Sequence, residues 1–111
     1  MRLSELLEKL DYSVLSGDEN RKITTLVYDS RQVIKDSVFV CIKGAISDGH
    51  KYIQDVVTKG AAAVIVEDDV NVEAYPDVTF IKTANNRQAL AFMSANYFGN
   101  RSLFSTSRST R

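Results

Sequence analysis

Four short runs of apolar and β-branched residues place the strongest constraint on how this chain can fold. Each run is five or six residues long, and the first is rich in isoleucine, threonine, valine and tyrosine. Runs of this length and composition predict β-strands. The other three are almost continuously apolar, which is typical of strands covered on both faces of a sheet. The predicted strands occupy residues 23–28, 38–42, 61–66 and 78–82.

Helical periodicity appears before, between and after these strands. Apolar spacing predicts one helix near the N-terminus, a second over residues 50–59 that Gly60 ends, and a third that starts at Asn85 or Asn86 and ends at Gly99. Strands separated by helices favour parallel neighbours with helices packed on the sheet. We therefore predict an α/β fold with a small, mostly parallel or mixed sheet. The predicted core-facing helix residues are Leu3, Leu6, Leu7, Leu10, Tyr52, Ile53, Val56, Val57, Ala89, Leu90, Phe92, Met93 and Tyr97.

Length and charge limit the classes of protein to which this chain can belong. The 111 residues suffice for one small domain, and no apolar run approaches the ~20 residues that a membrane-spanning helix needs. Residues 1–100 carry 11 basic and 14 acidic side chains, a net charge of −3. Neither a nucleic acid nor a membrane is therefore expected as a partner. The single cysteine, Cys41, excludes an internal disulfide and predicts a buried, unreactive thiol in a cytoplasmic protein.

The last eleven residues differ in composition from the rest of the chain. Residues 101–111 contain four serines, two threonines and three arginines, with neither helical nor strand periodicity. Such a tract cannot bury enough apolar surface to order itself. We predict a domain over residues 1–100 followed by a disordered tail. The abrupt change after Asn100 indicates foreign sequence, introduced by truncation or a frameshift.

Two polar loops follow the first two predicted strands. The first is Tyr28-Asp29-Ser30-Arg31, and the second covers residues 43–50. If the two strands are parallel neighbours, both loops emerge at the same edge of the sheet. Hydroxyl, backbone amide and cationic groups gathered at that edge suit an anionic, hydroxyl-rich ligand. The sequence shows no arrangement typical of a catalytic or a metal-binding site, so neither is predicted.

Several short motifs occur in a fixed order along residues 1–100. They are a strand ending in D-S-R, a strand ending in K-G, a helix opened by D-G-H, a G-A-A-A strand and a closing helix with Y-F-G-N. This set resembles the N-terminal domain of the Mur ligases of peptidoglycan synthesis. It is most similar to the MurE branch, whereas the MurF branch shares only the earlier motifs. The matching segments are 28–31, 38–44, 48–53, 59–64, 86–91 and 95–100.

The resemblance implies a function for the domain and for a longer parent enzyme. The domain is implied to bind the substrate UDP-N-acetylmuramoyl-L-alanyl-D-glutamate. The parent ligase is implied to use ATP and Mg²⁺ to activate the D-glutamate carboxylate as an acyl phosphate, which the amine of a diamino acid then attacks. The family's glycine-rich G-K-[ST] phosphate loop is absent from this sequence. We therefore expect the central and C-terminal domains to be missing, and the fragment to hold no cofactor and to be inactive alone.

The resemblance also implies which residues bind the substrate. Ser30 is implied to contact the UDP-linked substrate, and the alternative is a serine that only stabilises the turn. Tyr28 is implied to help form the same pocket, and the alternative for it is simple packing in the core. The loop over residues 44–47 offers a closely approachable glycine, an apolar surface for uracil and a hydroxyl. Arg31 could neutralise a diphosphate or equally form a local ion pair with Asp29. The implied substrate-binding residues are Tyr28, Ser30, Gly44, Ala45, Ile46 and Ser47, with Arg31, Lys43 and His50 as weaker candidates.

The sequence departs from the family pattern in the turn before the second predicted strand. Family members usually have Pro-Gly-Asp there, whereas this chain has Lys35-Asp36-Ser37. We expect little effect on function, because this turn lies at the edge of the sheet opposite the two polar loops. A MurF-type domain and an independent α/β binding module remain alternative interpretations of the whole chain.

Overall fold

Five strands form one mixed sheet in the computed structural model, which describes residues 2–42 and 49–101. The strands are Ser13–Ser16 (β1), Thr25–Val27 (β2), Ser37–Val40 (β3), Ala63–Val66 (β4) and Thr79–Lys82 (β5). Their spatial order is β1-β5-β4-β3-β2. β1 pairs with β5 in the antiparallel direction, and the three other pairs are parallel. The predicted α/β class and mixed sheet are confirmed.

Helices cover both faces of the sheet. The α-helices are Leu3–Leu6 (α1), Ile53–Thr58 (α2) and Asn86–Arg101 (α3), and short 3₁₀ helices span Ser30–Gln32, Gly49–Tyr52 and Val72–Ala74. Residues of α1 and α3 pack on one face, and residues of α2 pack on the other. No helix of the described ranges is long and apolar enough to cross a membrane.

The central strands are apolar throughout because both of their faces are buried. Successive residues of a strand point to opposite faces, so Val38 and Ile65 pack with α1 and α3, whereas Phe39 and Val64 pack on the α2 side. All four side chains are at most 1% exposed. Burial of each contributes roughly 1.5–3 kcal/mol. Burial on both faces therefore explains why the runs that predicted these strands are continuously apolar.

The strand β1 is the element that the apolar pattern does not predict. It is an edge strand whose Val14 is 41% exposed, and its register with β5 shifts between Val14 and Ser16. A strand with one neighbour and a partly exposed face needs few apolar residues, so it leaves little periodicity in the sequence. Gly17 follows at φ 89, and an added Cβ there would lie 2.6 Å from the Cα of Thr79. Only glycine permits this close approach of β1 to β5.

The second predicted helix divides into two parts. Residues 49–52 form a 3₁₀ helix, and α2 follows it. Gly60 ends α2 at φ 103, and the amide of Ala61 donates to the carbonyl of Val56 at 3.1 Å, so its predicted role as terminator is confirmed. Tyr52 is 37% exposed, so its predicted place in the core is wrong. The tighter winding of a 3₁₀ helix turns Tyr52 away from the buried face that Ile53 and Val56 share.

The last helix begins as predicted and ends later. The Asn85 side chain accepts a hydrogen bond from the amide of Gln88 at 3.0 Å, which is a helix N-cap. Phe92 is 44% exposed rather than buried, and α3 continues past Gly99 to Arg101. The predicted boundary after residue 100 lies one residue before the end of α3, and the domain bounds stay a prediction. Residues 102–111 lie outside the described residues, so the disorder expected of the tail stays a prediction.

Asn86 ties the start of α3 to the carboxyl ends of β3 and β4. Its buried side-chain amide donates to the carbonyl of Cys41 at 2.7 Å and to that of Ile65 at 2.9 Å. The hydroxyl of Thr83 donates to Asn86 Oδ1 at 2.5 Å. The backbone amide of Asn86 donates to the carboxylate of Glu67 at 2.6 Å. One side chain thus joins two strand ends and a helix start inside the protein.

We expect Asn86→Ala to lower the free energy of unfolding by about 2–3 kcal/mol, because buried hydrogen-bonding groups lose their partner. Urea denaturation followed by circular dichroism measures this change. The matched control is Asn71→Ala, because Asn71 precedes the 3₁₀ helix Val72–Ala74 without a side-chain capping bond. That control should cost less than about 0.5 kcal/mol. Equal losses in the two variants would contradict the role assigned to Asn86.

The turn before β3 places an aspartate where the resembled pattern has glycine. Asp36 adopts φ 63, in the left-handed region that glycine favours. Its amide donates to the carbonyl of Gly60 at 2.8 Å, and its carbonyl accepts the amide of Thr24 at 2.8 Å. The turn therefore joins β2, β3 and the end of α2 at the edge opposite the polar loops. The chain keeps the turn geometry and bears the conformational cost of a side chain there.

We expect Asp36→Gly to raise the free energy of unfolding by up to about 1 kcal/mol, because glycine relieves the left-handed strain. Thermal and urea denaturation of both proteins measure the gain. Asp11→Gly is the control, since Asp11 is exposed and is not among the residues with positive φ in the described ranges. That substitution should be neutral or destabilising. Destabilisation by Asp36→Gly would show that the aspartate side chain supports the turn.

Candidate functional site

The carboxyl ends of β2 and β3 frame a cavity of about 510 Å³, which we call the β2–β3 pocket. The two strands are parallel neighbours, as expected, so the chain leaves both at the same edge of the sheet. Ligands of open α/β sheets bind outside this edge. The pocket is lined by Tyr28, Asp29, Ser30, Arg31, Phe39, Ile42 and Tyr52.

A single turn of 3₁₀ helix positions Ser30 at the pocket. Asp29 is extended and caps this turn, since its Oδ1 accepts the amide of Arg31 at 2.9 Å and its carbonyl accepts the amide of Gln32 at 2.9 Å. Ser30 is half-buried. Within residues 2–42 and 49–101 its hydroxyl makes no hydrogen bond. The expected turn geometry is present, and no described residue occupies the hydroxyl, which can therefore bind a ligand.

Asp29 and Arg31 form a two-point ion pair at the pocket rim. Arg31 Nε donates to Asp29 Oδ1 at 3.1 Å, and Arg31 Nη2 donates to Asp29 Oδ2 at 2.9 Å. The Arg31 side-chain bond, and after it the Arg31 backbone amide, lower the pKa of Asp29 to about 2. The same side-chain bond raises the pKa of Arg31. The local ion pair with Asp29, one of the two interpretations of Arg31 from the sequence, is therefore present.

The ion pair leaves Arg31 with donors that a ligand can use. A guanidinium carries five N–H groups, and the pair with Asp29 occupies two nitrogens, Nε and Nη2. The Arg31 side chain is 85% exposed. The two interpretations of Arg31 are therefore compatible, because Asp29 orients a cation that still faces solvent.

Two tyrosines line the β2–β3 pocket with exposed rings. Tyr28 is 65% exposed, so simple core packing, its structural alternative, is wrong. Tyr52 also lines the pocket, and Lys51 Nζ is 5.6 Å from the centre of its ring. Phe39, from β3, supplies a buried apolar wall. Tyr52 escaped the sequence prediction because helical spacing assigned it to the core.

Lys59 is a second residue near the pocket that sequence reasoning did not single out. It caps the C-terminus of α2, and its Nζ donates to the carbonyl of Ser30 at 2.9 Å. The same Nζ lies 3.3 Å from Asp55 Oδ2, one helical turn earlier. The spacing of Asp55 and Lys59 was the only signal in the sequence, and it gives no indication of contact with a distant loop.

The second predicted loop covers residues 43–50. Residues 43–48, which include the candidates Lys43, Gly44, Ala45, Ile46 and Ser47, lie outside the described residues. His50 belongs to the 3₁₀ helix Gly49–Tyr52, but its side chain is outside the description. Their roles in substrate binding stay predictions.

A second cavity of about 610 Å³ lies at the same edge beside β5 and the start of α3. The helix start there is already satisfied, since Glu67 accepts the amide of Asn86 and Asn85 accepts that of Gln88. Cys41 is buried, as predicted. No group of three or more potential His, Cys, Asp or Glu metal ligands occurs in the described part of the chain.

Comparison with known families and curated proteins gives one consistent result. A family model described as "Mur ligase family, catalytic domain" matches residues 22–98. The chain is 47% identical over 100 residues to the UDP-N-acetylmuramoyl-L-alanyl-D-glutamate–2,6-diaminopimelate ligase of Clostridium perfringens. This match covers 90% of the chain and 20% of the relative, so the chain spans about a fifth of that protein's length.

Solved structures with a similar fold include two MurF proteins. Crystal structure II of MurF from Acinetobacter baumannii matches 94% of this chain and 22% of its own, with TM-score 0.75 and 20% identity. MurF from Thermotoga maritima in complex with ADP matches 68% of this chain and 17% of its own, with TM-score 0.57 and 29% identity. The first similarity supports the fold alone, because its identity is low.

We expect Arg31→Met to raise the pKa of Asp29 from about 2 toward the ordinary value near ~3.9, because the strongest bond to the carboxylate is lost. The carboxyl carbon shift of Asp29 in an NMR pH titration measures this change. The control carboxylate is Asp69, whose pKa is lowered by Lys82 and should not move. An unchanged pKa of Asp29 would contradict the ion pair.

The lowered pKa of Asp29 also determines how the stability of the fold depends on pH. The folded state binds the Asp29 proton less readily than the unfolded chain, so the pair stabilises the fold at pH values above ~4. This contribution is lost as the pH falls from ~4 through the folded pKa of about 2. The Arg31→Met variant should therefore show a weaker loss of stability over that interval.

Proposed function

We propose, from the premise that this chain belongs to the Mur ligase family, that residues 1–100 form the substrate-recognition domain of a MurE-type ligase. The ligand is the UDP end of UDP-N-acetylmuramoyl-L-alanyl-D-glutamate. The observation that carries the proposal is the coincidence of the β2–β3 pocket with the D-S-R loop. Three of the residues that the family resemblance selects, Tyr28, Ser30 and Arg31, line this cavity together with Tyr52.

The chemistry of the pocket suits a nucleotide diphosphate. The Ser30 hydroxyl makes no hydrogen bond within the described ranges and can bind a phosphate or sugar oxygen. Arg31 offers its remaining N–H groups to the diphosphate, and such charge-assisted bonds are stronger than neutral ones. Tyr28 and Tyr52 present apolar faces to a sugar or a base. The loop over residues 44–47 is proposed to hold the uridine.

The reacting end of the substrate lies outside this domain in the proposal. Binding energy from a remote, unreactive part of a substrate can be used to orient the reacting group. The UDP end is such a part, because the amide forms at the D-glutamate carboxylate. The domain therefore binds the UDP end of the substrate, and this binding helps to orient the distant D-glutamate carboxylate.

The residues present do not fit an ATP–Mg²⁺ site. The sequence has no G-K-[ST] segment, and the described residues hold no cluster of metal ligands. In a longer parent ligase, ATP and Mg²⁺ would be bound by the central domain, and the incoming amino acid by the C-terminal domain. We propose that the present chain is catalytically inactive alone, and that the protein is cytoplasmic.

A MurE-type parent is favoured over a MurF-type parent by the curated relatives. Eight curated relatives named as 2,6-diaminopimelate ligases are 34–47% identical to this chain over 91–102 residues. Crystal structure II of MurF from Acinetobacter baumannii is 20% identical, which supports a shared fold only. An independent binding module would use the same pocket for an unrelated ligand.

The proposal is tested by titrating the ¹⁵N-labelled chain with UDP-N-acetylmuramoyl-L-alanyl-D-glutamate and following amide shifts by NMR. We expect weak, saturable binding, with shifts concentrated in residues 28–31. Ser30→Ala should weaken the affinity by about three- to tenfold, which is the effect of one hydrogen bond.

The matched control is Ser13→Ala, because Ser13 is an exposed serine on the edge strand β1. Its affinity should equal that of the unmodified chain. Absence of saturable binding at millimolar ligand, or equal binding by Ser30→Ala, would overturn the proposed site. Tighter binding of an unrelated nucleotide or sugar phosphate would favour the independent module.

A further inference from the structure

Lys59 is the one described side chain outside the D-S-R loop whose cation holds the backbone of that loop. Its Nζ donates to the carbonyl of Ser30 at 2.9 Å, across 29 residues of sequence. Lys59 stands at the end of α2, where Gly60 turns the chain back toward β4. The bond therefore connects the pocket loop to a helix that packs on the sheet.

The position of Ser30 is restrained from two sides. On one side, Asp29 accepts the amide of Arg31 at 2.9 Å and so holds the turn that contains Ser30. On the other side, Lys59 holds the Ser30 carbonyl. With its carbonyl and the following amide both bonded, Ser30 keeps one orientation of its Cα–Cβ bond relative to the pocket.

The Lys59 cation is already engaged by protein groups. Its ammonium has three N–H groups, and it contacts the Ser30 carbonyl at 2.9 Å and Asp55 Oδ2 at 3.3 Å. Asp55 balances the charge of Lys59, which weakens any direct attraction to a phosphate. Lys59 is also absent from the residues that line the β2–β3 pocket. Its geometry favours an action through Ser30.

We propose that Lys59 is a positioning residue for the nucleotide-diphosphate ligand. By fixing the Ser30 carbonyl, it directs the Ser30 hydroxyl into the β2–β3 pocket before the ligand arrives. Preorganisation of this kind raises affinity because the ligand does not have to order the loop. The inference rests on the proposed function, in which Ser30 binds the UDP-linked substrate.

A double-mutant cycle tests the inference with UDP-N-acetylmuramoyl-L-alanyl-D-glutamate as the probe. The affinities of the unmodified chain, Lys59→Met, Ser30→Ala and the double variant are measured by NMR titration. We expect Lys59→Met to weaken binding by about three- to tenfold. In the Ser30→Ala background the same substitution should change affinity by less than about 1.5-fold, because coupled residues are not additive.

Two further variants separate positioning from charge and from folding. Lys59→Arg keeps a cationic donor and should bind within about twofold of the unmodified chain. Lys22→Met removes an equal charge from an exposed site before β2 and should leave affinity unchanged. Circular dichroism of every variant checks that the fold is retained, as expected for substitution of an exposed side chain.

The possible results are distinct. Unchanged affinity of Lys59→Met, or an equal loss in both backgrounds, overturns the positioning role and leaves the proposed function intact. No saturable binding by the unmodified chain overturns the proposed function and this inference with it. Three results together support the positioning role and the proposed function. Lys59→Met weakens binding, Lys59→Arg binds nearly as well as the unmodified chain, and Lys59→Met has almost no effect in the Ser30→Ala background.

Discussion

The hydrogen bonds of Asn86 hold together the edge of the sheet at which the ligand is proposed to bind. The carbonyl of Cys41, directly after β3, and the carbonyl of Ile65, within β4, both accept a hydrogen bond from the buried side-chain amide of Asn86. An unpaired buried polar group costs more than a pairing gains. The start of α3 is therefore fixed to the ends of both strands. Ile42, which lines the β2–β3 pocket, follows directly after this junction.

The pocket combines a rigid wall with a loop that is held at several points. Phe39 belongs to a central strand and cannot move without disturbing the packing on that face. Hydrogen bonds of Asp29, Arg31 and Lys59 hold the loop beside it. Such an arrangement suits ligand recognition, because the ion pair with Asp29 orients Arg31 and leaves some of its N–H groups for a ligand.

Local patterns accounted for most of the architecture. Four strands, three of them predicted to be covered on both faces, the cap by Asn85 and the end of α2 at Gly60 depend on neighbours in sequence, so composition and spacing predicted them. The edge strand β1 depends on pairing with β5, which is 63 or more residues away, and its own residues carry little signal. Tyr52 and Phe92 were assigned to the core by helical spacing, but the 3₁₀ turn and the position of α3 leave them exposed.

The sequence by itself determined the fold class, the family and the candidate loop, because short apolar runs and ordered motifs are properties of contiguous residues. It could not show that Asp29 and Arg31 pair while the Ser30 hydroxyl makes no hydrogen bond to the described residues, since its two interpretations of Arg31 differ only in geometry. Only the tertiary structure brought Lys59 to the Ser30 carbonyl and Asn86 to two strand ends. These contacts join residues 21 to 45 positions apart, and their existence depends on how the sheet and helices pack, which no local pattern encodes.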